Sequence, residues 1–265
     1  MNYILFEDSK YQNFSPFSLN HSVFEIRCGI FTMVDRVRMI LEDSDQLYLM
    51  VRKDLAPIIR ERYPECIVNP DIQPAGIWLN GSFFWSKDQF SGMENWVQYC
   101  TSSGTVAGFI TLHEDDGIFP RLDDHCKEIV EWECIQYIWD AIFQNGQRIC
   151  SDDPVSIKLL SVSEYTDEIG RGTGGSVHKS VIMVNQERIY FGSGSRINAG
   201  VILDASDGPV IIDRNVIIDI AAKIKGPVYI GQDSIINPGG NIRGNVTLGS
   251  CCKVGGEVED SIIHG

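Results

Sequence analysis

Basic residues are scarce in this chain of 265 residues, in which 22 Lys and Arg face 36 Asp and Glu and leave a net charge of −14. The few cations form no run anywhere in the sequence. Nucleic-acid binding depends on clustered Lys and Arg that neutralise phosphates, and an anionic membrane surface would repel an acidic protein. We therefore expect neither nucleic acid nor a membrane among its partners.

Several other common signals are missing. No apolar stretch approaches the roughly 20 residues that span a bilayer, and the first residues lack the basic start of a signal peptide. The eight cysteines form no CxxC pair and no zinc-ligand spacing, which favours thiols without a disulfide or metal role. No GxxxxGK[ST] phosphate loop occurs. These absences predict a cytoplasmic protein without a P-loop.

What the sequence does contain is a strict apolar period of six residues near its end. A helix repeats its apolar face every 3.6 residues and a strand every two, so this spacing fits neither element alone. It is typical of short strands joined by tight corners in a parallel β-helix, with one inward aliphatic residue per side. The period has two runs, offset at the turn 206–209: Phe191, Ile197 and Leu203, then Ile212, Ile218, Ile224, Ile230, Ile236, Ile242, Leu248 and Val254.

Composition divides the chain in two. Residues 186–265 contain 13 of the 25 glycines but only three of the 26 aromatic residues, whereas the first 185 residues carry a net charge of −12. We predict a domain at 1–150, a connecting segment at 151–187 and a β-helix at 188–265. Eleven beats of six residues, three per coil, predict a little under four coils. Because an open last coil exposes apolar interior, we expect a second subunit or further sequence beyond Gly265 to cover it.

The first part of the chain alternates strand and helix patterns, which predicts a mostly parallel sheet with crossover helices. A last helix is expected to carry Trp132, Ile135, Trp139 and Ile142 on one stripe. The other predicted segments are strands at 3–6, 46–51, 66–68, 77–85 and 105–112, helices at 33–41 and 56–62, and an amphipathic segment around 93–99.

Two motifs admit both a functional and a structural interpretation. Gly170, Gly172 and Gly175 form a GxGxxG, but polar residues precede it where a dinucleotide site needs a strand, so a linker is favoured. The acidic stretches 113–116 and 123–125 suggest a metal site, although their spacing matches no metal motif and a solvated loop is favoured.

Six segments of the chain resemble a known family. The runs 201–212, 225–231 and 252–263 are similar to the hexapeptide domain of the alternative bacterial bifunctional N-acetylglucosamine-1-phosphate uridylyltransferase and glucosamine-1-phosphate acetyltransferase. The motifs 3–8 (YILFED), 24–32 (FEIRCGIFT) and 138–140 (IWD) with Asn145 resemble the sugar nucleotidyltransferase domain of that family. The resemblance implies a Rossmann-like α/β nucleotidyltransferase domain followed by a short left-handed parallel β-helix.

The resemblance also implies an activity and its partners. We expect a transferase of UDP-N-acetylglucosamine-type biosynthesis that joins a nucleoside triphosphate to a sugar 1-phosphate with Mg²⁺. A homotrimer built on the β-helix is implied as well. The acetyltransferase coils of the family lie beyond the segment 252–263, so acetyl-CoA is expected only in a longer form of the protein.

Candidate site residues follow from position and from the resemblance. Carboxylates at the end of the first strand suit Mg²⁺, and an arginine after a turn can clamp a phosphate while a nearby carboxylate orients it or accepts a sugar hydroxyl. Glu25 and Arg27 could instead form an ion pair, Asn80-Gly81 a turn, and Asp140 a structural acceptor. The candidates are Glu7 and Asp8 for metal, Arg27 and Glu25 for catalysis, and Gly29, Asn80, Asp140 and Asn145 for nucleotide or sugar.

The sequence departs from the family at one place that bears on activity. Where the family has Thr-Arg-Pro, this chain has Asn20-His21-Ser22, which removes a cation from the region that would meet a triphosphate. An alternative function is therefore a non-catalytic protein that binds sugar nucleotides or assembles through its β-helix.

Overall fold

A computed structural model describes residues 1–114, 126–159, 163–164 and 175–265, without side chains at 153–159 and 163–164. The chain forms two compact units. The front unit comprises Met1–Ile26 and Thr32–Ile138, and the β-helix unit comprises Arg27–Phe31 and Trp139–Gly265. Most of the two ambiguous motifs, including Gly170, Gly172 and Asp115, lies outside the described residues.

The secondary structure follows the predicted alternation in the strands at 2–6, 46–50 and 67–68 and in the helices at 33–38 and 56–62, whereas the described residues between 92 and 137 form three strands and no helix. Thr32 caps the first helix, since its Oγ1 accepts from the amide of Asp35 at 3.2 Å while the Asp35 carboxylate accepts from the Thr32 amide. The elements are β1 (Asn2–Phe6), β2 (Arg27–Cys28), β3 (Phe31–Thr32), α1 (Met33–Arg38), β4 (Gln46–Met50), α2 (Ala56–Arg62), β5 (Ile67–Val68), β6 (Gly76–Asn80), α3 (Lys87–Ser91), β7 (Val97–Cys100), β8 (Val106–Thr111) and β9 (Cys126–Ile129).

Seven of these strands form one twisted sheet in the order β5-β4-β1-β6-β8-β7-β9. β1 lies parallel to β4 and β6, whereas β8 runs antiparallel to β6 and β7. The order reverses between β1 and β6, which makes the carboxyl end of β1 the topological switch point of the sheet. The Rossmann-like α/β fold predicted from the sequence is confirmed.

The front unit is held by large apolar side chains on the sheet. Trp78 and Phe109 on neighbouring strands are fully buried and stack with ring centroids 5.5 Å apart. Phe6 contacts both rings from β1. Burial of aromatic side chains of this size supplies much of the stability of a core, so the strand ends are anchored where the loops depart.

The predicted last helix is wrong in its first part. Trp132 and Ile135 precede the helix α4, which spans Ile138–Leu159, and Cys134 instead forms a β-bridge with Phe83. Trp132 packs against Tyr99 and Trp85, at centroid distances of 5.1 and 5.4 Å. Apolar residues at helical spacing in the sequence can therefore be placed by tertiary contacts outside a helix, as Trp132 is.

The β-helix unit contains α4 and three stacked sheets. Two sheets have five strands each, and the third has five parallel strands plus one antiparallel strand at Ser163–Glu164. The strands are β10 (Ser163–Glu164), β11 (Ser176–Val177), β12 (Ile182–Val184), β13 (Ile189–Phe191), β14 (Arg196–Ile197), β15 (Ile202–Asp204), β16 (Val210–Ile212), β17 (Ile217–Ile218), β18 (Lys223–Lys225), β19 (Val228–Ile230), β20 (Ile235–Ile236), β21 (Asn241–Arg243), β22 (Val246–Leu248), β23 (Lys253–Val254), β24 (Glu257–Glu259) and β25 (Ile262–Ile263).

All eleven residues of the six-residue period are buried in the prism. In each sheet, parallel neighbours lie 15 to 21 residues apart in sequence, with 18 between β16 and β19. The three stacked sheets fit a left-handed parallel β-helix, and the predicted fold of this region is confirmed.

The coil count predicted from the period is too low. Fifteen parallel strands, three per coil, make five coils from Ser176 to Ile263. Val177 and Met183 pack inward before the first run, and Val258 and Ile263 pack inward after the second. At the corners next to these residues, the spacing between inward side chains differs from six residues. The 3₁₀ turn Gln186–Arg188 lies in the corner that follows Met183. A strict period could not include these outer coils.

One face of the prism is covered within its own unit. Tyr190, Ile211 and Tyr229 point outward from adjacent strands and are buried against Ile149 of α4 and Ile30. The short segment Arg27–Phe31 therefore has a packing role in the β-helix unit.

Within the described residues, no helix combines the length and hydropathy needed to cross a membrane.

Candidate functional site

The larger cavity of the front unit opens at the carboxyl ends of three adjacent strands. Its volume is about 570 Å³. Glu7 and Asp8 reach it after β1, Arg52 and Lys53 after β4, and Gln73 beyond β5. Ligands of open α/β sheets bind at this edge because the loops that leave the strands there surround a crevice. The cavity thus occupies the expected place for a ligand.

A smaller cavity of about 370 Å³ lies on the other side of β1. Lys10, Ser82, Ser103 and Thr105 line it, and the Lys10 ammonium donates to Thr105 Oγ1 at 2.5 Å. Asp8 lines both cavities. The switch point of the sheet therefore carries one carboxylate between two chambers.

Asp8 is held in place by two hydrogen bonds. Its Oδ1 accepts from the Lys10 amide at 2.8 Å, and its Oδ2 accepts from Asn80 Nδ2 at 2.9 Å. Asn80 is fully buried at the end of β6, and its Oδ1 accepts from the amide and the hydroxyl of Ser82. Asn80 thus orients the carboxylate of Asp8, and the structure brings these two predicted site residues together.

Glu7 forms a buried ion pair with Arg52. Glu7 Oε1 lies 2.8 Å from Arg52 Nη1, and the Glu7 side chain is only 1% exposed. Its other oxygen accepts from the Val23 amide at 3.3 Å. Burial raises the pKa of Glu7 above its ordinary value, against the opposing effect of Arg52. The metal role predicted for Glu7 stays a prediction, and its carboxylate is occupied by the guanidinium.

Gln73, which lines the larger cavity, has a buried side-chain oxygen that accepts no hydrogen bond from the described residues. The side chain is 4% exposed, and its Oε1 has no hydrogen-bond partner among the described residues. Its Nε2 donates only a long bond of 3.4 Å to the Pro70 carbonyl. An unsatisfied buried acceptor costs about 1–3 kcal/mol, so a ligand with a matching donor would recover that cost.

Glu25 lies in a polar cluster with side chains of α2 and its C-terminus. Its carboxylate accepts from the Ser22 amide at 2.8 Å and from Arg62 Nη1 at 3.0 Å. Tyr63 donates to it at 3.4 Å, and His21 Nδ1 lies 3.4 Å away. The predicted ion pair of Glu25 is thus made with Arg62 rather than with Arg27. The carboxylate fixes the turn at 22–25, and its proposed catalytic role is untested.

The four other candidates belong to the β-helix unit. Asn145 is fully buried, and its Oδ1 accepts from the Gly29 amide at 2.8 Å and from Thr247 Oγ1 at 3.0 Å. Its Nδ2 donates to the Asn245 carbonyl at 2.7 Å. Arg27 Nη1 donates to the carbonyl of Ile30.

These bonds fasten the segment Arg27–Phe31 to α4 and to the prism. Gly29 has φ of +74°, and an added Cβ there would overlap Asp152 Oδ2. Asp140 is half-buried in the first turn of α4. The binding roles predicted for these residues stay predictions, and the observed contacts of Gly29 and Asn145 are structural.

Sequence reasoning missed Arg52 and Gln73. Arg52 comes two residues after β4, and the carboxyl end of a parallel strand is a recognisable signal for a site residue. Gln73 carries no such signal, because only burial without a partner distinguishes it from a surface glutamine. Tertiary structure was needed to find it.

The residues fit Mg²⁺ in one limited way. Among the described side chains, no group of three His, Cys, Asp or Glu could hold a metal ion together. Asp8 nevertheless presents one carboxylate where the two cavities meet. Mg²⁺ is often bound through one or two carboxylates together with substrate phosphates. The front unit suits a cation that arrives with a phosphorylated substrate.

An open α/β sheet with cavities on both sides of its switch point belongs to a class of domains that bind ligands at this edge. Comparison with known families agrees, since a model described as sugar nucleotidyl transferase matches residues 3–158. The chain therefore belongs to the sugar nucleotidyl transferase family. No curated protein matches it. Membership implies that a nucleotide and a sugar phosphate are the substrates.

Proposed function

We propose that the front unit is a sugar-1-phosphate uridylyltransferase of the UDP-N-acetylglucosamine type. A phosphate oxygen of the sugar 1-phosphate attacks the α-phosphorus of the triphosphate, and a new P–O bond forms. The bond from the α-phosphorus to the bridging oxygen breaks, and pyrophosphate leaves with that electron pair. Such in-line transfers depend mainly on positioning and charge neutralisation.

The larger cavity is the proposed nucleotide site, and Gln73 is the residue that supports this proposal. A primary amide offers a donor and an acceptor side by side, which match the O4 and N3–H groups of uracil. Gln73 lines the cavity, and its buried Oε1 lacks a partner among the described residues. A uracil base bound here would donate to the buried Oε1. When the base dissociates, this acceptor is again without a partner.

The smaller cavity suits the sugar phosphate. The Lys10 ammonium neutralises anionic charge, and the hydroxyls of Ser103 and Thr105 can donate to phosphate or sugar oxygens. The Ser82 hydroxyl, which donates to Asn80 Oδ1, can accept from a sugar hydroxyl. Because Asp8 lines both cavities, the two substrates would meet beside it. Mg²⁺, when bound with the triphosphate, would stabilise developing negative charge, and Asp8 is the residue that would hold it.

The β-helix unit is proposed as a scaffold and an oligomer contact, with a trimer as the expected assembly. Its predicted nucleotide contacts are engaged in internal hydrogen bonds, as Asn145 illustrates. Acyl transfer with acetyl-CoA remains an expectation for a longer form of the protein. The cytoplasmic location also stays a prediction. Mass measurement in solution tests the trimer.

The decisive experiment incubates the protein with Mg²⁺, N-acetylglucosamine 1-phosphate and each of UTP, CTP, ATP and GTP, and follows pyrophosphate release. We expect release with UTP above the other triphosphates. Gln73→Ala should lower kcat/KM for UTP by about tenfold, equivalent to about 1.4 kcal/mol. Gln12→Ala, which alters an exposed glutamine outside both cavities, is the matched control.

Absence of pyrophosphate with every triphosphate and several sugar phosphates would reject the catalytic function. In that event, binding of UDP-sugars without turnover would support the alternative of a non-catalytic binding protein. Equal effects of Gln73→Ala on all four triphosphates would reject base recognition by Gln73 while leaving catalysis in place.

A further inference from the structure

We propose that Arg52 contacts the triphosphate in the larger cavity and that Glu7 is a positioning residue that holds Arg52, rather than a ligand of Mg²⁺. This inference rests on the proposed function, because it names the cation that engages the nucleotide. The sequence predicts Glu7 as a metal ligand, and this inference gives Glu7 a different role.

Arg52 is fixed from several sides. Its Nη1 lies 2.8 Å from Glu7 Oε1, and its Nη2 donates to the Ser18 carbonyl. The guanidinium carbon lies 4.7 Å from the centroid of the Tyr11 ring. The side chain is 13% exposed and lines the larger cavity. A guanidinium held in this way loses little conformational entropy when an anion binds.

Arg52 differs from the other two cations of the cavity. Lys53 is exposed, and Arg60 Nη2 donates to the Val68 carbonyl on the neighbouring strand end. Arg52 stands closest along the chain to the carboxyl end of β4, next to β1 in the sheet. A planar guanidinium suits phosphate because it can form two parallel charge-assisted hydrogen bonds.

The environment of Glu7 suits an anchor better than a metal ligand. Its side chain is 1% exposed, and both oxygens have partners, Arg52 and the Val23 amide. A hydrated Mg²⁺ would have to displace Arg52 and would leave its guanidinium only the exposed Asp54, whose Oδ2 lies 3.4 Å from Arg52 Nε, as a counter-ion. Asp8, next in sequence, lines both cavities, and its partners, the Lys10 amide and Asn80 Nδ2, are uncharged, so a cation would displace no counter-ion there.

The test distinguishes the effect of the Arg52 guanidinium on UTP binding from that of the Glu7 carboxylate. Arg52→Gln alone would leave the Glu7 carboxylate buried and unpaired, which is costly for folding. We therefore compare Glu7→Gln with the double variant Glu7→Gln/Arg52→Gln, in which only the guanidinium differs. Binding of UTP with Mg²⁺ is measured by isothermal titration calorimetry, and thermal melting checks that each variant folds.

We expect the double variant to bind UTP about ten- to hundredfold more weakly than Glu7→Gln, as for loss of a hydrogen bond between charged groups. Glu7→Gln alone should leave the Mg²⁺ concentration for half-maximal UTP binding unchanged, because the amide oxygen still accepts from Arg52. Lys87→Gln, which removes an exposed cation, controls for net charge.

Two results would overturn the inference. Equal UTP affinity of the single and double variants would remove Arg52 from the site. A tenfold or larger rise in the Mg²⁺ requirement of Glu7→Gln would instead make Glu7 a metal ligand. Failure of the wild-type protein to bind any of the four triphosphates would reject the proposed function itself, so the two failures are distinguishable.

Discussion

Two buried amide side chains, one in each unit, differ in how completely they are hydrogen-bonded. In the β-helix unit, Asn145 makes three hydrogen bonds to Gly29, Thr247 and Asn245, and both its oxygen and its nitrogen are used. In the front unit, Gln73 is almost as deeply buried, yet its oxygen has no partner among the described residues. A satisfied network stabilises one structure, whereas an unsatisfied buried acceptor is costly unless a ligand completes it.

A place beside a cavity, taken together with the hydrogen-bond partners, separates these candidate residues better than motif resemblance does. Gly29 and Asn145 belong to motifs that suggest substrate binding, but their partners lie within the β-helix unit. Asp8 and Asn80 also pair with each other, yet Asp8 lines two cavities as well. We therefore expect substitutions in the first pair to alter stability and substitutions in the second pair to alter activity.

The largest expected effect is that of Gly29→Ala. Its φ of +74° disfavours an L side chain, and the added Cβ would overlap Asp152 Oδ2 and lie 2.7 Å from Arg148 Cβ. We expect a loss of about 3 kcal/mol in the free energy of unfolding, measured by urea denaturation. UTP affinity of the folded molecules should not change.

Gly239→Ala serves as its control. Gly239 also has positive φ, +70°, but an added Cβ would meet nothing within 4 Å among the described atoms. Only backbone strain of about 1–2 kcal/mol should remain. If Gly29→Ala weakened UTP binding at unchanged stability, Gly29 would have the binding role that its motif suggests.

A matched pair of asparagine substitutions probes the contrast directly. Asn80→Ala removes the donor to Asp8 Oδ2, and Asn145→Ala removes the acceptor of the Gly29 amide. Each should cost about 2 kcal/mol of stability because buried partners lose their hydrogen bonds. Only Asn80→Ala should also lower kcat/KM per folded molecule, by about tenfold. Equal kinetic losses in both variants would contradict the division of roles.

The smallest expected effect concerns pH and His21. Burial lowers the pKa of His21 and nearby Arg62 lowers it further, while Glu25 acts in the opposite direction. A lowered pKa in the folded state means that the contribution of His21 to stability is complete above its ordinary pKa of about 6.5 and declines as the pH falls below it.

His21→Gln should therefore flatten the decline in melting temperature as the pH is lowered from about 6.5 to 5. His178→Gln, which changes an exposed histidine of the β-helix unit, is the comparison variant. A steeper decline in His21→Gln than in the wild type would show that the histidine is stabilised in its charged form.

Periodic patterns accounted for most of the fold. The six-residue spacing identified the β-helix because each inward side chain must fill a narrow prism, and α2 has the bounds that the sequence predicts. The prediction of the last helix was wrong in its first part because Trp132, which is half-buried, stacks on Tyr99 and does not belong to a helix. The outer coils were missed because their corners differ in length.

Local sequence thus determined that the chain would contain a β-helix, an α/β sheet and a carboxylate after the first strand. Tertiary structure alone decided which polar residues meet. It pairs Glu7 with Arg52 across 45 positions of sequence, and it joins Gly29 to Asn145 across 116. Hydrogen bonds and burial act through space, so the partners of a charged or polar side chain are fixed only once the strands are in register.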